Sequence, residues 1–142
     1  MFNNFDNTLE SILSPDIGKL ILRFSVGVLI LLHGIHKLFI GGVEGVRHLV
    51  VQSGFPEFFT YGIYIGEVIA PLLLILGIYA RLSAFLISFT MAFAIFLAHS
   101  SQVFSLHSKT GGSLIELQLL FLFSALSITF IGGGKYSLKY QG

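Results

Sequence analysis

Four long apolar stretches, separated by short polar or glycine-rich connections, account for most of the chain. A run of about 20 apolar residues is long enough to cross a bilayer as a helix. We therefore predict membrane-crossing helices over about residues 16–39, 58–79, 81–98 and 113–131. The predicted fold class is all-α, a bundle of four transmembrane helices.

Two shorter segments have the spacing of surface helices. Ahead of the first span, polar residues separate apolar ones three or four positions apart, which predicts an amphipathic helix on the membrane surface. Ser14 is a favourable N-cap and Pro15 suits the first helical position, so the first span is expected to begin there. Residues 43–52 are predicted to form an interfacial segment or a lid over the outer end of the bundle. The apolar positions of the first segment are Phe2, Phe5, Leu9, Ile12 and Leu13.

Composition supports the membrane assignment and narrows the function classes. Of 142 residues, 54% are hydrophobic and 11% are charged, which is typical of integral membrane proteins. We expect one small membrane domain over residues 1–142, without a cleaved signal peptide. The net charge of +1 and the lack of a basic run make nucleic acid an unexpected partner. The absence of cysteine excludes disulfides, thiol redox chemistry and iron–sulfur ligation within the chain.

The basic residues predict the orientation. Four spans place both chain ends on one side, and the positive-inside rule favours cytoplasmic termini by four basic residues against three. The predicted cytoplasmic set is Lys19, Arg81, Lys135 and Lys139, and the opposite set is Lys37, Arg47 and Lys109.

Small residues predict where the helices pack closely. Gly27, Gly34 and Gly41 recur every seven residues on the first span, and Gly62 and Gly66 continue to Ala70 on the second. Such ridges let helix backbones approach one another and carry no chemistry by themselves.

Ionisable residues within the apolar stretches are the candidate functional groups, because a charge in a spanning helix costs on the order of 3 kcal/mol. Glu67 is the strongest candidate, since it lies in mid-span with no route to either surface. At about 1.5 Å per residue, the candidates fall in the outer half of the membrane, one or two from each helix. We predict that they share one polar pocket. They are His33, Lys37, Glu67, His99 and Glu116.

Helical periodicity adds two arginines to this prediction. Arg23 shares one side of the first helix with His33 and Lys37, and Arg81 lies on the same line of the third helix as His99. Other interpretations stay open at this point. Lys37 and Arg81 can extend to headgroups, and Glu116 is favoured in a first helical turn by the helix dipole.

The order of several segments resembles the DoxX family of small four-helix bacterial membrane proteins. These segments are LILRFSVGVLILLHGIHKLF, GFPEFFTYGIYIGEVIAPLLLILGIYARLSA, MAFAIFLAH and the closing GGGKYSL, and the resemblance covers about residues 20–138. It implies a location in the bacterial cytoplasmic membrane. It also implies kinship with the DoxD-type subunit of thiosulfate:quinone oxidoreductase, and with membrane complexes that meet oxidative or thiol stress beside soluble partners. The matching positions are Arg23, His33, Gly34, Lys37, Glu67, Arg81, His99, Glu116 and the glycine-rich tail.

One departure from that family pattern is visible in the tail. The family tail commonly reads Ser-Leu-Asp, whereas Lys139 occupies the acidic position here. A role for a tail carboxylate is therefore not expected in this chain.

The leading functional hypothesis is a membrane oxidoreductase component that binds a quinone or a similar small redox-active molecule between the helices. The chain has no built-in electron carrier of the usual kinds, so a diffusible quinone or a partner subunit would have to supply one. His33, Glu67, His99 and Glu116 are the predicted groups for hydrogen bonding and proton exchange, with Arg23, Lys37 and Arg81 completing the binding site. We expect a homo-oligomer.

Three other hypotheses remain open on the sequence. The same polar faces suit a transporter or permeation pathway for a small solute or proton. A non-catalytic anchor or assembly factor for a soluble partner would use the cluster for helix packing. A metal site formed by His33, Glu67, His99 and Glu116 is a weaker alternative, because the ligands come from four helices without a close-spaced motif.

Overall fold

The fold is a bundle of helices, seen here in a computed structural model that describes residues 2–139, apart from the side chain of Phe2. Regular structure in that part of the chain is helical except for one isolated β-bridge between Leu106 and Ser113. The helices are α1 (Phe2–Ile12), α2 (Pro15–His36), α3 (Glu44–Gln52), α4 (Ala70–Leu76), α5 (Ala80–His99) and α6 (Glu116–Ile131). Short 3₁₀ or π turns, at Lys37–Gly41, Glu57–Tyr61, Tyr64–Ile69 and Ser100–Gln102, extend or precede them.

Three helical runs are long and apolar enough to cross a membrane. They are Pro15–Gly41, Glu57–Leu76 and Ala80–Gln102, close to the first three predicted spans. The fourth predicted span is shorter than expected. Ser113 pairs with Leu106 in the bridge, so α6 begins only at Glu116 and has 16 residues, or about 24 Å of helix. A fourth crossing therefore stays a prediction.

The core lies where α2, α4, α5 and α6 meet. Its fully buried members include Ile30, Leu74, Ile87 and Ile128. The predicted amphipathic helix is present as α1, and its apolar residues Phe5 and Ile12 are exposed. Its position on a membrane surface stays a prediction.

The bundle has two distinct ends. The start of α2, the turn after α4 and the glycine-rich C-terminal segment meet at one end, where the backbone N–H of Lys135 donates to Asp16 and the N–H of Lys139 donates to the carbonyl of Gly77. We call this the tail end. The end of α2, α3 and the end of α5 lie at the other, which we call the cavity end. Of the tail predicted from the sequence, residues 140–142 lie outside the described residues.

A proline explains the widened turn that carries Glu67. Pro71 has no N–H to donate to the residue four positions earlier, which is Glu67, and its ring crowds that carbonyl. The helix widens there into the π segment Tyr64–Ile69, with the N–H of Ala70 donating to Ile65 five residues back. Such π segments are frequent at functional sites.

Two glycines allow close packing around this turn. A Cβ at Gly34 would collide with the backbone carbonyl of Glu67, and a Cβ at Gly66 would collide with the side chain of Thr90. The predicted small-residue packing is therefore present at both positions. It brings the backbone of α2 against the turn that holds Glu67.

Candidate functional site

A cavity of about 500 Å³ lies at the cavity end and is lined mostly by apolar and aromatic side chains. A volume of this size is typical of small-molecule sites. His33 reaches it from α2, Lys37 from the π turn that follows α2, Glu67 from the π segment Tyr64–Ile69, and His99 from α5. The structure thus brings together four of the residues predicted from the sequence to share a pocket. Their functional roles stay predictions.

Lys37 and Glu67 form an ion pair at the cavity wall. The ammonium of Lys37 lies 2.6 Å from Oε1 of Glu67, and the side chains are 35% and 2% exposed. The second oxygen, Oε2, is buried and has no hydrogen-bond partner among the described residues. A buried carboxylate oxygen without a donor is costly, so Glu67 has hydrogen-bonding capacity that the described residues do not meet.

Both histidines of the cavity have one ring nitrogen engaged. Nδ1 of His33 lies 2.8 Å from the carbonyl oxygen of Leu29, and Nδ1 of His99 lies 3.0 Å from the side-chain oxygen of Gln102. The ring of His33 also packs edge-on against Phe121, with centroids 5.6 Å apart. These contacts fix the ring orientation.

A lid, formed by α3 and the turn Glu57–Tyr61, covers the cavity. Val46, Val50 and Phe59 line the cavity from the lid, and Val50 is 1% exposed. Arg47 connects the two parts of the lid, with its guanidinium 2.8 Å from Glu57 and 3.4 Å from Glu44. These carboxylates, Glu57 foremost, raise the pKa of Arg47 above its ordinary value. Of the two predictions for residues 43–52, the structure therefore favours the lid.

Glu116 does not line the cavity. It lies in the first turn of α6 with an exposed side chain that folds back toward Gly112. Gln118, two residues further on and therefore about 200° around the helix, lines the cavity instead. The predicted grouping of Glu116 with Glu67 and the histidines is thus corrected, because α6 begins later than expected and turns Glu116 outward.

The two arginines lie at the tail end. Arg23 is 2% exposed and donates to the carbonyls of Gly133 and Tyr136, at 2.8 and 2.7 Å, and to the hydroxyl of Ser137. Arg81 donates to the carbonyls of Thr129 and Phe130 at the end of α6. Arg23 is about 21 Å along α2 from Lys37, so the predicted place of both arginines beside the cavity is also corrected. Residues on one face of a helix can lie at opposite ends of the bundle, so a shared face did not place the arginines beside the cavity.

The described residues include no group of three or more His, Asp or Glu side chains arranged to hold a metal ion. The alternative metal site of His33, Glu67, His99 and Glu116 is therefore not assembled. Glu116 faces outward, and Oε1 of Glu67 is already paired with Lys37.

Sequence reasoning missed several residues that shape the site. The aromatic wall of the cavity includes Phe59 and Phe93, which stack with centroids 5.9 Å apart, and Phe89, which stacks on Phe93 at 6.4 Å. Where nearly every position is apolar, the sequence pattern does not distinguish cavity-lining phenylalanines from lipid-facing ones. The π segment that carries Glu67 could have been predicted from the sequence, because Pro71 follows Glu67 by four positions.

Comparison with known proteins gives a consistent assignment. The DoxX family matches residues 18–100, more than half of the chain, a range that contains almost all of α2 and the whole of α3, α4 and α5. A curated relative from Bacillus subtilis (strain 168), named "Putative oxidoreductase CatD", is 33% identical over 82 residues, which are 58% of this chain and 60% of that protein. No solved structure matches the chain. The family match and the long apolar helices identify the chain as a multi-pass membrane protein of the DoxX family.

Proposed function

We propose that this protein is a component of a membrane oxidoreductase and binds a quinone, or a similar small redox-active molecule, in the cavity under the lid. The observation that carries the proposal is the Lys37–Glu67 pair, which places a cation and a partly unsatisfied carboxylate at the wall of a mostly apolar cavity. Such groups are costly to bury and are therefore typical of ligand sites.

The cavity suits a planar, lipid-soluble ring. Phe59, Phe89, Phe93 and Phe121 present aromatic surfaces against which a ring can stack. Lys37 and Gln118 carry donors for ring oxygens, and Glu67 and the histidines can accept protons. Quinone and quinol differ by two electrons and two protons. The electrons pass to or from a partner subunit or second substrate, because this chain has no cysteine for an iron–sulfur cluster.

The name of the Bacillus subtilis relative, an oxidoreductase, supports redox chemistry. Because the match spans only 60% of that relative, a redox activity of this protein is part of the proposal. The proposal includes a fourth crossing by α6, a place in the bacterial cytoplasmic membrane, and a homo-oligomer with a redox partner.

The structure offers less support for a permeation pathway. Between Lys37 and Arg23, α2 presents Val26 and Ile30, both buried in the apolar core. A polar solute crossing the described part of the bundle would have to pass this packed layer. We therefore regard transport as a less well supported function than ligand binding.

Binding of a short-chain quinone to the protein in lipid nanodiscs tests the proposal. Calorimetric titration with ubiquinone-1, corrected for empty nanodiscs, should show saturable binding at one site per chain. Glu67→Gln should weaken binding about tenfold, because it removes the charge that holds Lys37 in place.

Glu10→Gln is the matched control, since Glu10 is exposed on α1 and lies outside the cavity. It should bind like the wild type. Equal binding by wild type and Glu67→Gln would refute the site, and no binding above empty nanodiscs would refute the function.

A further inference from the structure

The π segment Tyr64–Ile69 and α5 separate from each other toward the cavity end. A Cβ at Gly66 would collide with the side chain of Thr90, so the two segments touch at that level. Gly62 is four residues earlier, which places it one turn away on the same side of the span. A Cβ at Gly62 would meet no atom of another described helix within 4 Å. A gap between the two segments therefore begins just beyond the Gly66–Thr90 contact.

An aromatic stack closes this gap at the lid. Phe59 of the lid and Phe93 of α5 stack with ring centroids 5.9 Å apart. Phe93 follows Thr90 by three positions, so the gap is about 5 Å high along the helix axis. Gly62 and Phe93 both line the cavity, which places the gap in the cavity wall.

The gap leads from the cavity to the outer surface of the bundle. Ile65 and Phe89 line the cavity from its two sides, yet they are 49% and 60% exposed. Each belongs to a row of exposed apolar residues, and in a membrane protein such rows face lipid. The rows are Tyr61, Ile65, Ile69, Leu72 and Leu76 on one segment, and Leu82, Phe85, Phe89 and Phe96 on α5.

The depth of the gap places its outer side in the hydrocarbon layer. Ile65 lies eight residues into the candidate span Glu57–Leu76, about 12 Å along the helix from its first residue. Val50 of the lid, by contrast, is 1% exposed and covers the cavity from the cavity end. The lipid side is therefore the more open side of the cavity.

We infer that the ligand of this cavity carries a long hydrocarbon tail, and that the tail lies in the gap between Ile65 and Phe89 and extends into the bilayer. The inference rests on the proposed function and adds the class of ligand, a membrane-dissolved molecule with a polar head. The head reaches Lys37 and Glu67 inside the cavity. The tail exchanges lipid contacts for apolar side chains, which costs little because lipid chains are as apolar as those side chains.

Two benzoquinones with the same ring separate the tail from the head. Decylubiquinone has a long alkyl tail, and ubiquinone-0 has none. Each is titrated into the protein in lipid nanodiscs, with empty nanodiscs as the blank. Affinities are compared at equal mole fraction in the lipid, which removes the effect of partitioning. The wild type should bind both probes with affinities within about threefold, because the tail has a way out of the cavity.

Gly62→Leu tests the gap, because it places a branched side chain in the open space. The backbone of Gly62 has φ −58° and ψ −24°, which a leucine adopts without strain. The affinity for decylubiquinone should fall about tenfold, with that for ubiquinone-0 changed by less than about twofold. Gly62→Ala is the matched control. It makes the same backbone change, but its methyl group fits the open space, so both affinities should stay at the wild-type values.

The outcomes distinguish this inference from the proposed function. No binding of either quinone overturns both. Binding of ubiquinone-0 alone by the wild type overturns the tail and leaves the ligand site standing. An equal effect of Gly62→Leu on the two probes, or no effect on either, overturns the assignment of the tail to this gap.

A photolabel locates the tail in the wild type, and decides the question should Gly62→Leu fail to fold. The probe is decylubiquinone with a diazirine in the middle of its tail, and excess decylubiquinone is the competitor. Labels that the competitor removes should fall on Ile65 and Phe89. Such labels on Val51, exposed on the lid, or on Leu117, exposed on α6, would place the tail elsewhere and overturn the inference.

Discussion

The Lys37–Glu67 ion pair is the main charged feature of the site. Glu67 is almost fully buried, and its nearest compensation is one ammonium group 2.6 Å away. Removing one partner of a buried pair costs more than removing both, because the remaining charge is left without compensation. This asymmetry makes the pair testable by stability alone.

Lys37→Met should lower the free energy of unfolding by about 1–3 kcal/mol. This loss of stability is smaller than that for a fully buried pair, because the Lys37 side chain is 35% exposed. Adding Glu67→Gln should recover most of the loss. Thermal or denaturant unfolding in detergent measures both changes. Lys109→Met, at an exposed loop position, is the control, and an equal effect at both lysines would contradict the pairing.

Arg23 attaches the C-terminal segment to α2 at the tail end, where its guanidinium donates to Gly133, Tyr136 and Ser137. Arg23→Lys replaces a fork of donors with a single ammonium and should free the tail. Trypsin cleavage after Lys135 should become about tenfold faster. This rate corresponds to a free energy of local opening of the tail that is lower by about 1.4 kcal/mol. Arg47→Lys, at the cavity end, should leave that cleavage unchanged. An unchanged rate in Arg23→Lys would contradict the docking of the tail.

Among the helices, the contact between α2 and the π segment positions the carboxylate. Gly34→Ala places a methyl against the carbonyl of Glu67 and should cost about 1–3 kcal/mol of stability, because backbone must move. Gly18→Ala, on the same helix with open space around it, should stabilise by about 0.5–1 kcal/mol. Thermal unfolding of the two variants measures the difference. Similar effects at both glycines would mean that the helices are not in close contact.

The sequence predicted the long helices better than the position of every ionisable group on them. Apolar length and the Ser14–Pro15 start determine α2, and Gly77 ends α4 in a left-handed conformation with φ 74°. Glu116 was misplaced because the start of α6 depends on the Leu106–Ser113 bridge, a contact within the preceding loop. Arg23 was misplaced because its partners come from a tail more than 100 positions later in the chain.

For the molecule as a whole, the path of α6 decides how many times the chain crosses the membrane. The chain has no cysteine, so single cysteines report sidedness cleanly. If α6 crosses, Lys109→Cys and Lys135→Cys lie on opposite sides. In intact cells, an impermeant maleimide should label the first and spare the second, as expected for a cytoplasmic tail. Labelling of both, or of neither, would contradict a fourth crossing.

The proposed function requires a ligand cavity that is covered by the lid and lined by groups from several helical segments. Photolabelling with an azidoquinone, followed by mass spectrometry, locates the ligand without a substitution. We predict labels on the lid, the Glu67 segment and the second half of α5, near Val50, Phe59 and Phe93, that excess ubiquinone-1 competes away. Labels spread over outward-facing residues such as Phe24 and Phe130, and unaffected by competitor, would contradict it.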